Sequence, residues 1–143
     1  MGDGILAVFG DPVPTPDHAR RAVEVALAMQ ERVAQLRERW QQRFGVELAI
    51  RIGIATGEVF VGNIGSRAAK IEYTAIGPPV NLAARLEGQS PPGGVLVCRQ
   101  TRTGCGEAFL FEEVPPLTVK GFAEPQQAFL AARSEDAPRA VAG

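Results

Sequence analysis

Histidine, tryptophan and tyrosine occur once each in this chain, and cysteine and methionine only twice, which removes several chemistries before any motif is considered. The single histidine, His18, follows Asp17 at the start of a helical stretch, where capping or solvation accounts for it; a mechanism built on a histidine base has little to draw on. Cys98 and Cys105 stand seven apart without the paired C-x-x-C spacing of zinc sites, and two thiols in a cytosolic chain read as reduced and unligated. Surplus charge is missing too. Fifteen Lys and Arg against sixteen Asp and Glu leave a formal −1, so the basic field that draws nucleic acid is absent and no nucleic-acid partner is expected. No apolar run approaches the ~20 residues of a spanning helix. The start, Met1-Gly2-Asp3-Gly4-Ile5, lacks the basic region and cleavage site of a secretory signal. The expectation is a cytoplasmic chain with no membrane segment.

What is present is ordinary for a globular protein: 45% hydrophobic and 22% charged residues in a chain of 143, enough for one core. Residues 4–10 (GILAVFG) form a short apolar run between glycines and read as a buried strand, with Asp3 at its mouth. Thr15 before Pro16 predicts a hydroxyl N-cap with proline in the first helical turn. Ala22, Ala26, Met29, Val33, Leu36, Trp40 and Phe44 then recur at four- and three-residue spacing, which predicts one buried helix face ending near Gly45. Alternation from Val46 to Ile54 predicts a strand, and Gly57 a tight turn that makes it a hairpin with residues 58–62. Residues 63–70 are small and polar, hence a loop; residues 71–76 and 95–98 are strands; Pro78-Pro79 opens a helix carrying Val80, Leu82, Ala83 and Leu86. Short apolar runs follow at 108–111, 117–119 and 127–131. This order predicts an α+β sandwich with helices on a mostly antiparallel sheet. Residues 1–132 form the domain, and residues 133–143 are polar and Ala/Pro-rich, a flexible tail.

Three segments taken together resemble the catalytic domain of the class III adenylate and guanylate cyclases. Residues 1–10 (MGDGILAVFG) resemble that family's G-D-x-x-x-A-x-F-G hairpin, residues 73–87 (YTAIGPPVNLAARLE) its segment with V-N-x-A-x-R, and residues 119–122 (VKGF) its V-K-G strand. The linking stretch 53–65 (GIATGEVFVGNIG) fits as well, so the likeness runs to about Ala132. The resemblance implies a ferredoxin-like α/β sandwich and conversion of ATP to 3′,5′-cyclic AMP and pyrophosphate. It also implies two divalent ions, Mg²⁺ or Mn²⁺, per complete site, because charge builds on both the attacking and leaving oxygens. The partners implied are ATP, with GTP the weaker alternative, and a second copy in an antiparallel homodimer or a second cyclase domain.

Carried over position by position, Asp3 matches one of the family's two metal aspartates, Asn81 the residue that orients the ribose, and Arg85 the one that stabilises charge on the transferring phosphate. Lys120 matches the lysine on the terminal phosphates, and Thr74, with the backbone around Ile76, the contacts to the purine. Each has a plainer reading: a turn aspartate, a helix-surface asparagine, a solvated arginine, a lone surface lysine. Asn81 and Arg85 lie four apart, so a helix sets them one turn from each other on one face. Only the joint occurrence of the motifs raises the catalytic reading above the plain one.

One departure stands out. The family's domain opens with a strand bearing F-x-D-I-x-G-F and the first metal aspartate, and no segment here matches it. The expectation is an N-terminally truncated domain, lacking the first strand and the helices after it, and inactive by itself. The alternatives are a non-catalytic nucleotide-binding or dimerisation module, a guanylate cyclase, or a relative of palm-type polymerases and cyclic-dinucleotide synthases; the lack of a G-G-[DE]-E-F-like hairpin argues against the last.

Overall fold

A computed structural model describes residues 4–11, 15–64 and 72–134. In chain order these hold α1 (His18–Phe44), β1 (Ile52–Ile54), β2 (Phe60–Ile64), β3 (Glu72–Ile76), α2 (Pro78–Gln89), β4 (Val95–Cys98), α3 (Arg99–Cys105), β5 (Phe109–Leu117) and β6 (Gln126–Arg133). A four-stranded sheet runs β1-β4-β6-β5, parallel between β1 and β4 and antiparallel elsewhere, and β2 and β3 pair antiparallel as a sheet of their own.

The core is organised by β4. All four of its residues are buried, as a strand covered on both faces requires. Val95 and Val97 join Ala19, Val23, Ala26 and Leu27 of α1, Cys105 of α3, Phe109 and Phe129 in one apolar cluster. Leu96 and Cys98, on the opposite face by strand alternation, join Leu82 and Leu86 of α2, Val119 and Ala128 in a second. The sheet is thus sandwiched between α1 with α3 and α2, the α+β sandwich that the sequence predicts.

Several expectations are corrected. The helix starts at His18 rather than at a Thr15 cap: the His18 N–H donates to the Thr15 carbonyl, and the Asp17 carboxylate meets Arg20 and Arg21 without capping. The apolar stripe is buried only as far as Leu27, while Met29, Trp40 and Phe44 are exposed. A 27-residue helix is about 40 Å long, and it outruns a sheet of short strands. Trp40 and Phe44 pack against each other instead, with ring centroids 5.1 Å apart and planes tilted by 49°. At its C-terminus the helix stops at Gly45, as expected, where the Gly45 N–H donates to the Gln41 carbonyl.

The strand expected over 46–54 shrinks to Ile52–Ile54; just before it the Ile50 carbonyl still accepts from the Gly93 N–H at 2.8 Å, and side chains of α1 bond the same stretch. Arg37 Nε donates to the Leu48 carbonyl at 3.0 Å, and Gln30 Nε2 bridges the Ile50 and Gly94 carbonyls at 3.1 and 2.9 Å. Nor does β1 form a hairpin with residues 58–62; it runs parallel to β4, and β2 turns to β3 instead. Residues 4–10 are not a buried strand. Ile5 is 93% exposed, Leu6, Val8 and Phe9 are also open, and no described strand lies alongside to take their backbone groups.

The seven-residue α3 has no counterpart in the sequence reading; its Thr101 is buried and hydrogen-bonds the Thr56 hydroxyl at 2.8 Å. The run expected at 117–119 is the end of β5 and a turn, and the β5–β6 ladder slips at Pro115-Pro116, which offer no N–H. Strand β6 continues through Arg133, whose guanidinium meets Glu31 at 2.8 Å and Glu24 at 2.9 Å and fastens the strand to α1. Of the tail expected over 133–143, Arg133 belongs to β6, and residues 135–143 lie outside the described residues.

Both cysteines are free and buried. Burial pushes the Cys105 thiol up to about 11 from an ordinary 9.0, with the Arg20 charge pulling partly the other way. A thiol whose folded value is raised contributes stability that is present below about pH 9 and lost as pH climbs to about 11. The stability difference between wild type and Cys105→Ala should therefore narrow across that interval in thermal melts, and iodoacetamide at pH 8 should leave Cys105 of the native chain unmodified.

Candidate active site

Helix α2 carries the two residues with the sharpest sequence signal, and its position is set by what it buries. Pro78 and Pro79 occupy its first turn, where their missing N–H groups leave no bond unmade, and it ends at Ser90 before Pro91. Leu82 and Leu86 face the sheet and are fully covered, each worth roughly 1.5–3 kcal/mol of apolar burial. Asn81 and Arg85, one position earlier in each turn, are left exposed side by side on an adjoining face.

The helix sits unusually close to β1. A Cβ on Gly53 would collide with the Ala83 carbonyl oxygen, the Glu87 nitrogen and the Leu86 carbonyl carbon, so helix backbone rests directly on strand backbone. A Cβ on Gly57 would lie 2.6 Å from Pro79 Cγ, a second close approach at the start of the same helix. Neither glycine was singled out for this role by the sequence reading. The available signal was a glycine at 53 interrupting a β-branched run, which marks a bulge or a close backbone neighbour.

Arg85 reaches away from its own helix. Its Nε donates to the Thr118 carbonyl at 3.3 Å, which ties the helix to the segment bearing Lys120. That segment is anchored by Val119, buried among the same residues as Leu82 and Leu86, and it closes a turn in which the Phe122 N–H donates to the Val119 carbonyl at 3.1 Å. Lys120 is exposed on this turn. Asn81, Arg85 and Lys120 are thus carried by two elements that share one apolar seat and one hydrogen bond.

Thr74 and Ile76 stand two apart on β3, which leads through Gly77 straight into α2. Thr74 pairs with Gly62 and is half-buried; Ile76 pairs with Phe60 and both are exposed, while Ala75 between them is buried. Asp3 lies outside the described residues. Among the described residues no cluster of three or more His, Cys, Asp or Glu is arranged to hold a metal ion, so they do not by themselves fit one. No described helix is long and apolar enough to cross a membrane.

Two open hollows lie elsewhere. One of about 460 Å³ lies at the start of α1, lined in part by Phe9, Thr15, His18 and Arg21, and one of about 530 Å³ lies between residues 91–94 and strands β5 and β6. Neither is lined by Asn81, Arg85 or Lys120, which are exposed.

Residues 1–132 match the family model of the adenylate and guanylate cyclase catalytic domain. The chain belongs to that family. It is 33% identical over 122 residues to adenylate cyclase 1 of Rhizobium meliloti, an alignment that covers 84% of this chain and 18% of that protein. The crystal structure of the adenylyl cyclase CyaB from P. aeruginosa superposes with a TM-score of 0.80 at 33% identity, covering 90% of this chain and 66% of that one. The guanylyl cyclase Cya2 gives 0.79 at 33% identity, covering 95% and 69%. The described residues therefore have the class III α+β sandwich that the motifs implied, and the chain spans less than a fifth of the length of the Rhizobium relative.

In this cyclase domain the seat of α2 is open to a direct test. Gly53→Ala should lower stability by about 1–3 kcal/mol or more, the scale of overpacking a tight contact. Gly88→Ala, at an exposed helical position with no neighbour within 4 Å, should raise it by about 0.5–1 kcal/mol through helix propensity. Denaturant midpoints that move alike for both would show that the helix is not seated on the strand.

Proposed function

We propose that this chain supplies the nucleotide-holding face of an adenylate cyclase site, which converts ATP to 3′,5′-cyclic AMP and pyrophosphate where two cyclase domains meet. The observation that carries the reading is the Arg85–Thr118 hydrogen bond, which joins the exposed Asn81/Arg85 face of α2 to the turn bearing Lys120. Those are three polar groups of the kind a triphosphate needs, at exposed positions held by one apolar seat. Exposed groups of this sort suit a site closed by a second copy or a second cyclase domain.

In the proposed reaction the ribose 3′-oxygen attacks the α-phosphorus and pyrophosphate leaves. Asn81 orients the ribose through its amide. Arg85 stabilises charge gathering on the transferring phosphate; its bond to Thr118 uses Nε, and a fixed guanidinium fork offers its terminal nitrogens to phosphate oxygens. Lys120 holds the terminal phosphates. Thr74, on the strand that feeds α2, contacts the purine edge together with the backbone at Ile76, and threonine in place of aspartate there favours ATP over GTP. Asp3 is the candidate ligand for Mg²⁺ or Mn²⁺, which this class of reaction employs to offset charge on the attacking and leaving oxygens.

In the full-length gene product, Arg85→Ala should cut turnover at least about a hundredfold, the scale of losing one preorganised charge stabiliser. Turnover within a few-fold of wild type would remove Arg85 from the mechanism. Assayed side by side, ATP should be cyclised faster than GTP, and the reverse preference would overturn the role given to Thr74. The 143 residues alone should form no cyclic nucleotide, because Asp3 is one metal carboxylate where the reaction uses two; cyclic AMP from the isolated chain would refute this.

A further inference from the structure

One face of the β2–β3 ribbon carries large apolar side chains in the open. Side chains two apart on a strand share a face, and in the antiparallel register Phe60 stands opposite Ile76 and Gly62 opposite Thr74. These four positions make one face of the ribbon. Val61 and Ala75 make the other, where Ala75 is buried. On the open face Phe60 is 64% exposed, so its ring is not spent on the core.

That ring has a defined place. A Cβ on Gly62 would lie 3.2 Å from Phe60 Cε1 and 3.3 Å from Phe60 Cζ, so the ring leans along its own strand and covers the glycine. Gly62 is not among the glycines with positive φ, so its backbone angle does not call for glycine. What its missing side chain provides is room for the ring. Thr74 sits directly across from Gly62, and Cβ positions so paired are about 4.5–5.5 Å apart. The phenyl group is therefore held beside the side chain proposed for the purine edge.

A purine has an edge and two flat faces. The Thr74 hydroxyl suits the edge and offers nothing to a face. An exposed aromatic ring does, because every base presents a π surface. The residues proposed for the ribose and the transferring phosphate follow at 81 and 85, on the helix that β3 feeds. Base, sugar and phosphate are then met along the chain in the order in which the nucleotide itself joins them.

We infer that Phe60 is the residue that stacks on the purine ring, with Gly62 leaving room for its phenyl group beside Thr74. The inference deepens the adenylate cyclase reading and rests on it, since the base comes to this ribbon only if Thr74 contacts its edge.

The test uses the full-length protein. Calorimetry gives affinities for the non-cyclisable analogue α,β-methylene ATP and for inorganic tripolyphosphate, which has no base; sedimentation velocity reports the oligomeric state and melting temperature the folding. Phe60→Ala should weaken the analogue about tenfold, the scale of one lost base–aromatic stack, and leave tripolyphosphate within about twofold. Phe60→Trp should bind the analogue within about twofold of wild type, whereas Phe60→Leu, apolar but without a π face, should stay several-fold weaker. Gly62→Ala, whose Cβ displaces the ring, should weaken the analogue several-fold and cost nothing further in a Phe60→Ala background. Wild-type affinity in Phe60→Leu overturns stacking. An equal loss for tripolyphosphate, or dissociation of the protein in Phe60→Ala, overturns the inference and makes the ring a structural or subunit contact. Unchanged affinity in Phe60→Ala while Thr74→Ala binds weakly overturns it and leaves the purine role of Thr74 intact. Unchanged affinity in both variants overturns that role and the inference together. Should alanine prevent folding, the leucine and tryptophan variants decide the matter by the same comparison.

Discussion

The contact between Gly53 on β1 and the backbone of α2 at Ala83, Leu86 and Glu87 fixes how deep that helix lies on the sheet. Leu82 and Leu86 set its rotation by filling the cluster beneath, and Val119 fills the same cluster from the other side. Any group on the outer face of α2 or on the 119–122 turn is therefore positioned by apolar packing that it takes no part in. Arg85 adds one hydrogen bond between the two elements, at an exposed site where such a bond contributes modestly to stability, so its value lies in alignment.

The opposite face of the sheet is held by a different device. Helix α1 is longer than the sheet it covers, and its polar side chains do work that strand pairing does elsewhere. Gln30 and Arg37 satisfy the carbonyls of residues 48, 50 and 94, and Arg133, largely buried, gathers Glu24 and Glu31 at the end of β6. These contacts have a cost: the Gln30 Oε1 atom is buried with no hydrogen-bond partner among the described residues, a penalty of roughly 1–3 kcal/mol. In return the segment entering β1 is held at a defined height, and β1 carries Gly53. The two faces of the sheet are in this way linked through one three-residue strand.

Local signals in the sequence carried much of this. The central strand at 95–98, the Pro-Pro start of α2, the stop of α1 at Gly45 and strand β3 follow from runs, breakers and spacing that operate within a few residues. The failures share a cause. The stripe on α1 is continuous from Ala22 to Phe44, but its burial ends at Leu27 because burial depends on how far the sheet reaches, which periodicity along one helix does not encode. The alternation at 46–54 is real, yet only Ile52–Ile54 pairs in the sheet, and Gln30 and Arg37, some twenty and eleven residues away, bond carbonyls of the stretch before it. The run at 4–10 has the composition of a core strand and lies exposed, because a strand is buried by its neighbours and not by its own side chains.

The sequence by itself determined the family and which side chains are candidates, because motifs such as V-N-L-A-A-R and V-K-G fix residue identity and local spacing. Only the tertiary structure decided that Arg85 meets Thr118, that β1 pairs with β4 rather than β2, and that Gly53 must lack a side chain. Those outcomes join residues about thirty to forty positions apart, and they depend on where whole elements settle once both faces of β4 have been covered.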